Sequence, residues 1–220
     1  KNVNLKNLII DNNLSAGDGG GISIMENTKV TIDACKIYSN ESANNGGGIQ
    51  NMENTLTVIT NSLIYDNIVS GFDGGGINTN GVMLLINSTL AGNTVPNGRY
   101  GAAMTIGTGL DSVLVFNTIF YNNKTASQST FYNSTDGNYI FNGKLVSYNN
   151  YLMAEEKNDL VITRGENNIF SDSNPFADPA INDYSIKDAR LLESGISSVT
   201  FYGTTYSAPS KDIAGNSRPN

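Results

Sequence analysis

Two acids recur at one position of this chain. Asp18 and Asp73 open near-identical blocks, Asp18-Gly-Gly-Gly-Ile22 and Asp73-Gly-Gly-Gly-Ile77. Carboxylates held at a fixed separation are what a calcium site or an acid–base pair requires. The intervening block, Asn45-Gly-Gly-Gly-Ile49, carries an amide instead. If each block lies on one strand of a stacked sheet, the acids stand two strand spacings, about 9.6 Å, apart. Calcium–oxygen bonds of about 2.3–2.6 Å do not bridge that gap. Asp11 and Asp66, with Ser39 between them, are separated in the same way. The chain has no histidine, so a general base would have to be a carboxylate, Lys or Tyr, and Arg99, Arg164, Arg190 and Arg218 share no repeat position. The single cysteine, Cys35, excludes an internal disulfide and reads as a small buried residue at a Ser/Thr position. The expectation is therefore no metal, no cofactor and no catalytic residue. Tyr38, Tyr65 and Tyr121 form the more concrete set: they recur in phase, interrupted by Ala91, and alternation points them outward as a candidate ligand-binding face for a surface glycan or another surface protein. The competing reading is that these rings stack on one another along the surface.

The elements that would position these groups follow from periodicity. A weaker block, Tyr100-Gly-Ala-Ala-Met104, extends the series, so the apolar closing residue falls at 22, 49, 77 and 104, with spacings of 27, 28 and 27. A period in that range marks a solenoid whose units stack because none can bury its apolar face alone. An asparagine runs in phase: Asn12, Asn40, Asn67, Asn93, Asn123 and Asn149. Buried at a turn, such amides can bond to one another and to local backbone. A short strand precedes each, and alternation places Ile9, Ile37, Ile64, Leu90 and Phe120 in one inward column. Ile32, Ile59, Leu85 and Val115 lie five residues before that column from Ile37 onward, with Cys35, Ser62, Ser88 and Thr118 between. Each unit reads as three short strands and three turns. The glycines supply positive φ and close backbone approach, since a phosphate cradle would need a following helix.

Beyond Asn123 the pattern loosens. Phe131 keeps the 27-residue step from Met104, and Tyr139 and Phe141 suit the next strand. Leu160-Val161-Ile162 and Asn168-Ile169-Phe170 read as the last coil strands. From Pro175 the prolines break any long element, and this segment is expected to cover the open end. The expected organisation is an all-β, right-handed parallel β-helix over residues 1–174, about 27 residues per coil, with an irregular C-terminal cap over 175–220.

Composition narrows the function. Of 220 residues, 39% are apolar and 15% charged, which suits one folded β-rich domain. A net charge of −7 repels phosphate backbones and argues against nucleic acid. The apolar run Val82 to Ile86 is far shorter than the roughly 20 residues of a spanning helix. The chain opens directly on an alternating strand, Lys1-Asn-Val-Asn-Leu5, so the true start is expected upstream.

The Gly-Gly-Gly-Ile, Val-x-Ile-like, Ser-x-Ile and Asn unit resembles the right-handed β-helix repeats of bacterial surface passengers and pectate-lyase-like proteins over roughly residues 1–150. The terminal run Asn174-Pro-Phe-Ala-Asp-Pro179, Asp183-Tyr-Ser-Ile186 and Asp212-Ile-Ala-Gly-Asn-Ser-Arg-Pro219 resembles the end of choice-of-anchor Q type surface proteins. That resemblance implies an exported bacterial protein at the cell surface, and a fold alone fixes no chemistry. The function expected is a non-catalytic stalk or adhesive surface; the alternative is a β-helix polysaccharide lyase or glycoside hydrolase whose catalytic residues lie partly outside this sequence.

Overall fold

The computed structural model describes residues 1–96, 99–107, 113–125, 145–152, 164–192 and 194–218. Phe131, Tyr139, Phe141 and Leu160 to Ile162 lie outside them. The chain winds into a parallel β-solenoid with four walls. The coil that follows Ser15 shows the pattern: strands Ile22–Ile24, Lys29–Asp33, Lys36–Tyr38 and Glu41–Ser42, each paired in parallel with its counterpart about 27 residues on. We call these the glycine wall, the long wall, the tyrosine wall and the short wall. Sequence reasoning expected three strands per coil. The fourth has only two residues, too few for alternation to reveal it.

Inside, Ile32, Ile59 and Leu85 from the long wall face Ile37, Ile64 and Leu90 from the tyrosine wall, with Ile49 and Ile77 closing the space, all fully buried. Each such side chain contributes about 1.5–3 kcal/mol by leaving water. A buried polar cluster around Asn51 interrupts the apolar core. Asn51 follows Ile24 in register, and its Nδ2 donates to Thr79 Oγ1 (2.9 Å) while its Oδ1 accepts from Thr55 and Thr57 (2.8 Å each). Every partner is supplied locally, as burial of an amide demands.

Two corners use left-handed backbone. Between the long and tyrosine walls stand Asn7, Ala34, Asn61, Asn87, Asn117 and Asn149, all at positive φ. Asn61, Asn87 and Asn117 donate their N–H to the carbonyl of Ile86, Phe116 and Tyr148 on the following coil. Asparagine tolerates this conformation better than most residues, which explains its abundance here. The corner after the tyrosine wall repeats the device with Asn12, Ser39, Asp66, Gly92 and Asn122.

These corners correct three expectations, two of them by one residue. Ile9 is 64% exposed and pairs with Lys36, whereas Ile10 pairs with Ile37 and meets the core. Asn12 is a corner residue, and Asn13 donates to Asn40. Asn149 belongs to the first corner rather than to the asparagine ladder.

The chain after Pro175 runs along the outside of the solenoid. A hairpin of Phe176–Asp178 and Asp183–Ile186, a short helix Ala189–Leu192 and a hairpin of Ser198–Phe201 and Thr204–Ser207 make it up. Its described contacts are with side walls. Val199 and Phe201 pack on Leu84, Ile86, Leu114 and Phe116, which project outward from the long wall. Those strands, Val-Met-Leu-Leu-Ile and Val-Leu-Val-Phe, are apolar on both faces, and such strands are covered on both.

Candidate functional site

Three columns of repeating polar residues are engaged with neighbouring coils. Along the asparagine ladder, Asn40, Asn67 and Asn93 each donate both backbone N–H and Nδ2–H to the Oδ1 of the following rung, at 2.8–3.1 Å. Each Nδ2 also donates to a carbonyl of the preceding coil: Ile10, Ile37 and Ile64. The third glycine of each block makes room for this ladder. A Cβ on Gly48 would lie 3.0 Å from Asn67 Nδ2 and 2.6 Å from Gly76 O.

A second ladder ascends the small-residue column. Cys35 N–H donates to Ser62 Oγ, Ser62 to Ser88 Oγ, Ser88 to Thr118 Oγ1, Thr118 to Asn150 Oδ1 and Asn150 to Asn168 Oδ1. Sequence reasoning found four members and missed Asn150 and Asn168, because the residue type changes where the spacing also drifts. Cys35 is fully buried, and burial pushes its thiol up, away from nucleophilic use.

The acids form the third ladder. Asp18 Oδ1 accepts from Asn45 N–H and Nδ2–H, Asn45 Oδ1 accepts from Asp73 N–H, and Asp73 Oδ1 accepts from Tyr100 N–H. Asp18 and Asp73 are two coils apart and each is committed to backbone donors. Burial holds the Asp73 carboxyl above its usual range despite that bond and the Arg99 charge. Asp11 and Asp66 do not share a column. Asp11 pairs with Tyr38 in register, and Asp66 takes the corner position of Ser39. Among the described residues, no three His, Cys, Asp or Glu side chains come together.

The tyrosines lie on the outer face of the tyrosine wall, as alternation requires. Tyr38 and Tyr65 stack with centroids 4.7 Å apart and planes 9° from parallel. The C-terminal hairpin covers the row beyond Tyr38: Tyr184 tilts onto Tyr65 at 5.0 Å, and Phe176 meets Tyr121 edge-on at 5.7 Å. Tyr65 is consequently only 5% exposed, and its phenol is pushed up to about 12 by burial first and by the nearby Tyr38 and acids second. Tyr38 and Tyr121 are half-buried; hydrogen bonding to Asp11 raises Tyr38. With the hairpin seated, Tyr65 and Tyr121 bind the chain's own aromatic rings.

Arg99, Arg190 and Arg218 each have separate partners. Arg99 lies over the Phe72 ring at 4.6 Å, Arg190 pairs with Asp188, and Arg218 reaches Asn61 Oδ1 at 2.9 Å. The Arg164 side chain lies outside the described positions.

Fold and ladders together define a parallel β-solenoid with a C-terminal strap along its walls. No protein-family model, curated protein or solved structure matches the chain. No helix among the described residues is long and apolar enough to cross a membrane.

Proposed function

We propose that this chain is a non-catalytic β-helix segment of an exported bacterial surface protein, acting as a stalk or adhesive scaffold. The observation that supports the reading is the commitment of three repeating polar columns to neighbouring coils. The asparagine and small-residue ladders and the Asp18–Asn45–Asp73 series all end on partners within the solenoid. Carboxylates spent in this way stiffen a rod and leave little chemistry for a substrate in the groove. The resemblance in repeat and C-terminal sequence supports the surface location.

The test has two measurements on the intact protein. The first exposes a panel of acidic and neutral polysaccharides to it and follows chain cleavage. The second labels intact source cells with an antibody to residues 1–125. The reading expects no cleavage above blank and surface labelling without permeabilisation. Cleavage abolished by substituting Asp18, Asp66 or Asp73 would replace it with the polysaccharide-degrading alternative, and labelling only after lysis would remove the surface role.

A further inference from the structure

A cleft of about 510 Å³ separates the corner asparagines from the C-terminal strap. Asn87, Asn117 and Asn149 form its floor, and Ile186, Leu191 and Ile196 supply apolar wall. Pockets of this size hold small ligands. Three features distinguish it from a packing gap. Asn149 Oδ1 is buried and accepts no hydrogen bond among the described residues, although a buried amide oxygen ordinarily has a donor. Arg218 lines the same cleft, and among the described residues no carboxylate comes within ion-pair distance of its guanidinium. Its hydrogen-bond acceptors are the neutral Asn61 Oδ1 and Lys211 O, and the Asp212 carboxylate, bonded to Asn216, acts on it only through space. Partial burial lowers its pKa and outweighs the Asp212 charge that raises it, so the positive charge is held at a desolvation cost that an incoming anion would offset.

The third feature shows what the corner recognises. Asn117 holds the backbone of Ile196 at two points: its Oδ1 accepts from Ile196 N–H at 2.9 Å and its Nδ2 donates to Ile196 O at 2.8 Å. Asn149 Nδ2 donates to Ser194 O. Two members of the column therefore already pair with peptide backbone. Asn61 beside Arg218 and Asn149 are three coil steps apart, about 14 Å. That is the length of roughly four extended residues at about 3.3–3.6 Å each. Among the described lining residues there is no aromatic ring of the kind that stacks on a sugar face.

We propose that this cleft binds the carboxy-terminal end of a short aliphatic peptide, with the terminal carboxylate on Arg218, an amide N–H donated to Asn149 Oδ1 and side chains against Leu191 and Ile196. Arginine grips a carboxylate through parallel donors, which gives the site its polarity. Occupancy would also tie the strap to the corner, coupling binding to strap docking.

The test uses the isotope-labelled chain and two pools of aliphatic, N-acetylated tetrapeptides, one with free carboxylates and one amidated. The readouts are the NMR signals of Arg218 Nε–H and Asn149 Nδ2. The free-carboxylate pool is expected to shift both signals, with binding at least about tenfold tighter than the amidated pool, the factor that a lost charge-assisted hydrogen bond implies. Arg218→Gln should abolish the difference. Because that substitution also loosens the strap, Gly195→Phe provides an independent check. Gly195 lines the cleft without positive φ, and a Cβ there makes only ordinary contacts at 3.6–3.7 Å from Asn117, so a side chain can start there without backbone strain, and Phe is chosen for its bulk. Loss of binding in Gly195→Phe with strap signals intact supports the site. No shift at millimolar peptide, equal shifts from both pools, unchanged binding in Gly195→Phe, or shifts caused by a hexuronate and not by peptides would each overturn it.

Discussion

Replacing Asn67 by alanine tests whether the ladder stabilises the solenoid. Asn67 is fully buried and its amide makes four bonds: Oδ1 accepts from Asn40 N–H (3.1 Å) and Asn40 Nδ2 (3.0 Å), and Nδ2 donates to Ile37 O (2.9 Å) and Asn93 Oδ1 (3.0 Å). The losses are unequal. Asn40 Nδ2 retains Ile10 O, and Asn93 Oδ1 retains the Asn67 backbone N–H. The Asn40 backbone N–H loses the acceptor described for it, and an unsatisfied buried donor costs about 1–3 kcal/mol. Adding the weaker losses gives about 2–4 kcal/mol for the substitution. In a chain of this length that corresponds to a fall of roughly 6–12 °C in Tm. Urea unfolding with far-ultraviolet dichroism measures it, and the slope reveals whether the coils still unfold together. Asn67→Asp sharpens the test. Its carboxylate can still accept from Asn40 but sets a second oxygen against Ile37 O and Asn93 Oδ1, so its folded-state pKa should rise. A raised carboxyl pKa is harmless below the unfolded value and increasingly destabilising as pH climbs through the folded one. The Asp variant should therefore lose more stability at pH 8 than at pH 4. An unchanged midpoint in Asn67→Ala, or a pH-independent deficit in Asn67→Asp, would show that the amide is not held as described.

Gly47→Ala should destabilise by about 2 kcal/mol or more, because the new Cβ would lie 2.4 Å from Gly75 O and 2.6 Å from Ile68 O, both backbone atoms; urea unfolding decides, and a wild-type midpoint refutes the close approach. Asp73→Asn should stabilise at neutral pH: Asp73 is raised by burial, so its ionisation opposes folding above the usual carboxylate range, while Asn45 shows that an amide fits this column. The gain should vanish near pH 3, where the acid is already neutral, and a gain that persists there would show that charge is not its cause. Tyr184→Ala should uncover Tyr65 and bring its ionisation down from about 12, read by ultraviolet titration against a Tyr65→Phe control. No downward movement would mean that Tyr184 does not shield that ring.

The parallel winding was legible because both of its markers answer to a steric or hydrogen-bonding need in every coil. Gly48 must be small beside Asn67, and Asn67 must bond to Asn93. Register was harder where the sequence offered two candidates side by side. In Asn12-Asn13 one residue takes the left-handed corner and the next the ladder, and Asn149-Asn150 divides in the same manner between the first corner and the small-residue ladder. Leu8-Ile9-Ile10 has no alternation to choose an inward residue. The strap was illegible for a different reason. Its contacts link residues 79 and 157 apart, as in Asn117 with Ile196 and Asn61 with Arg218, and no period connects them. The doubly apolar strands of the long wall signalled that something covers them without indicating what. The tyrosine row was correctly placed on the outside, and its occupation by Phe176 and Tyr184 depended on the same nonperiodic segment.

Stacking coils with Ile22 directly beside Ile49 has a mechanical corollary. Twenty-seven residues advance the solenoid by only one strand spacing, about 4.8 Å, although the same residues drawn straight would reach roughly 90 Å. As a spacer the fold is uneconomical, giving far less reach per residue than a helix at about 1.5 Å each. Under load the ratio reverses. Each coil peeled from the stack would lengthen the tether by more than fifteenfold its resting contribution, and the amides of its rungs would have to part nearly together because each bonds both to the coil above and to the coil below. Such a rod stays short and stiff at rest, and when overloaded it lengthens in large discrete steps instead of breaking.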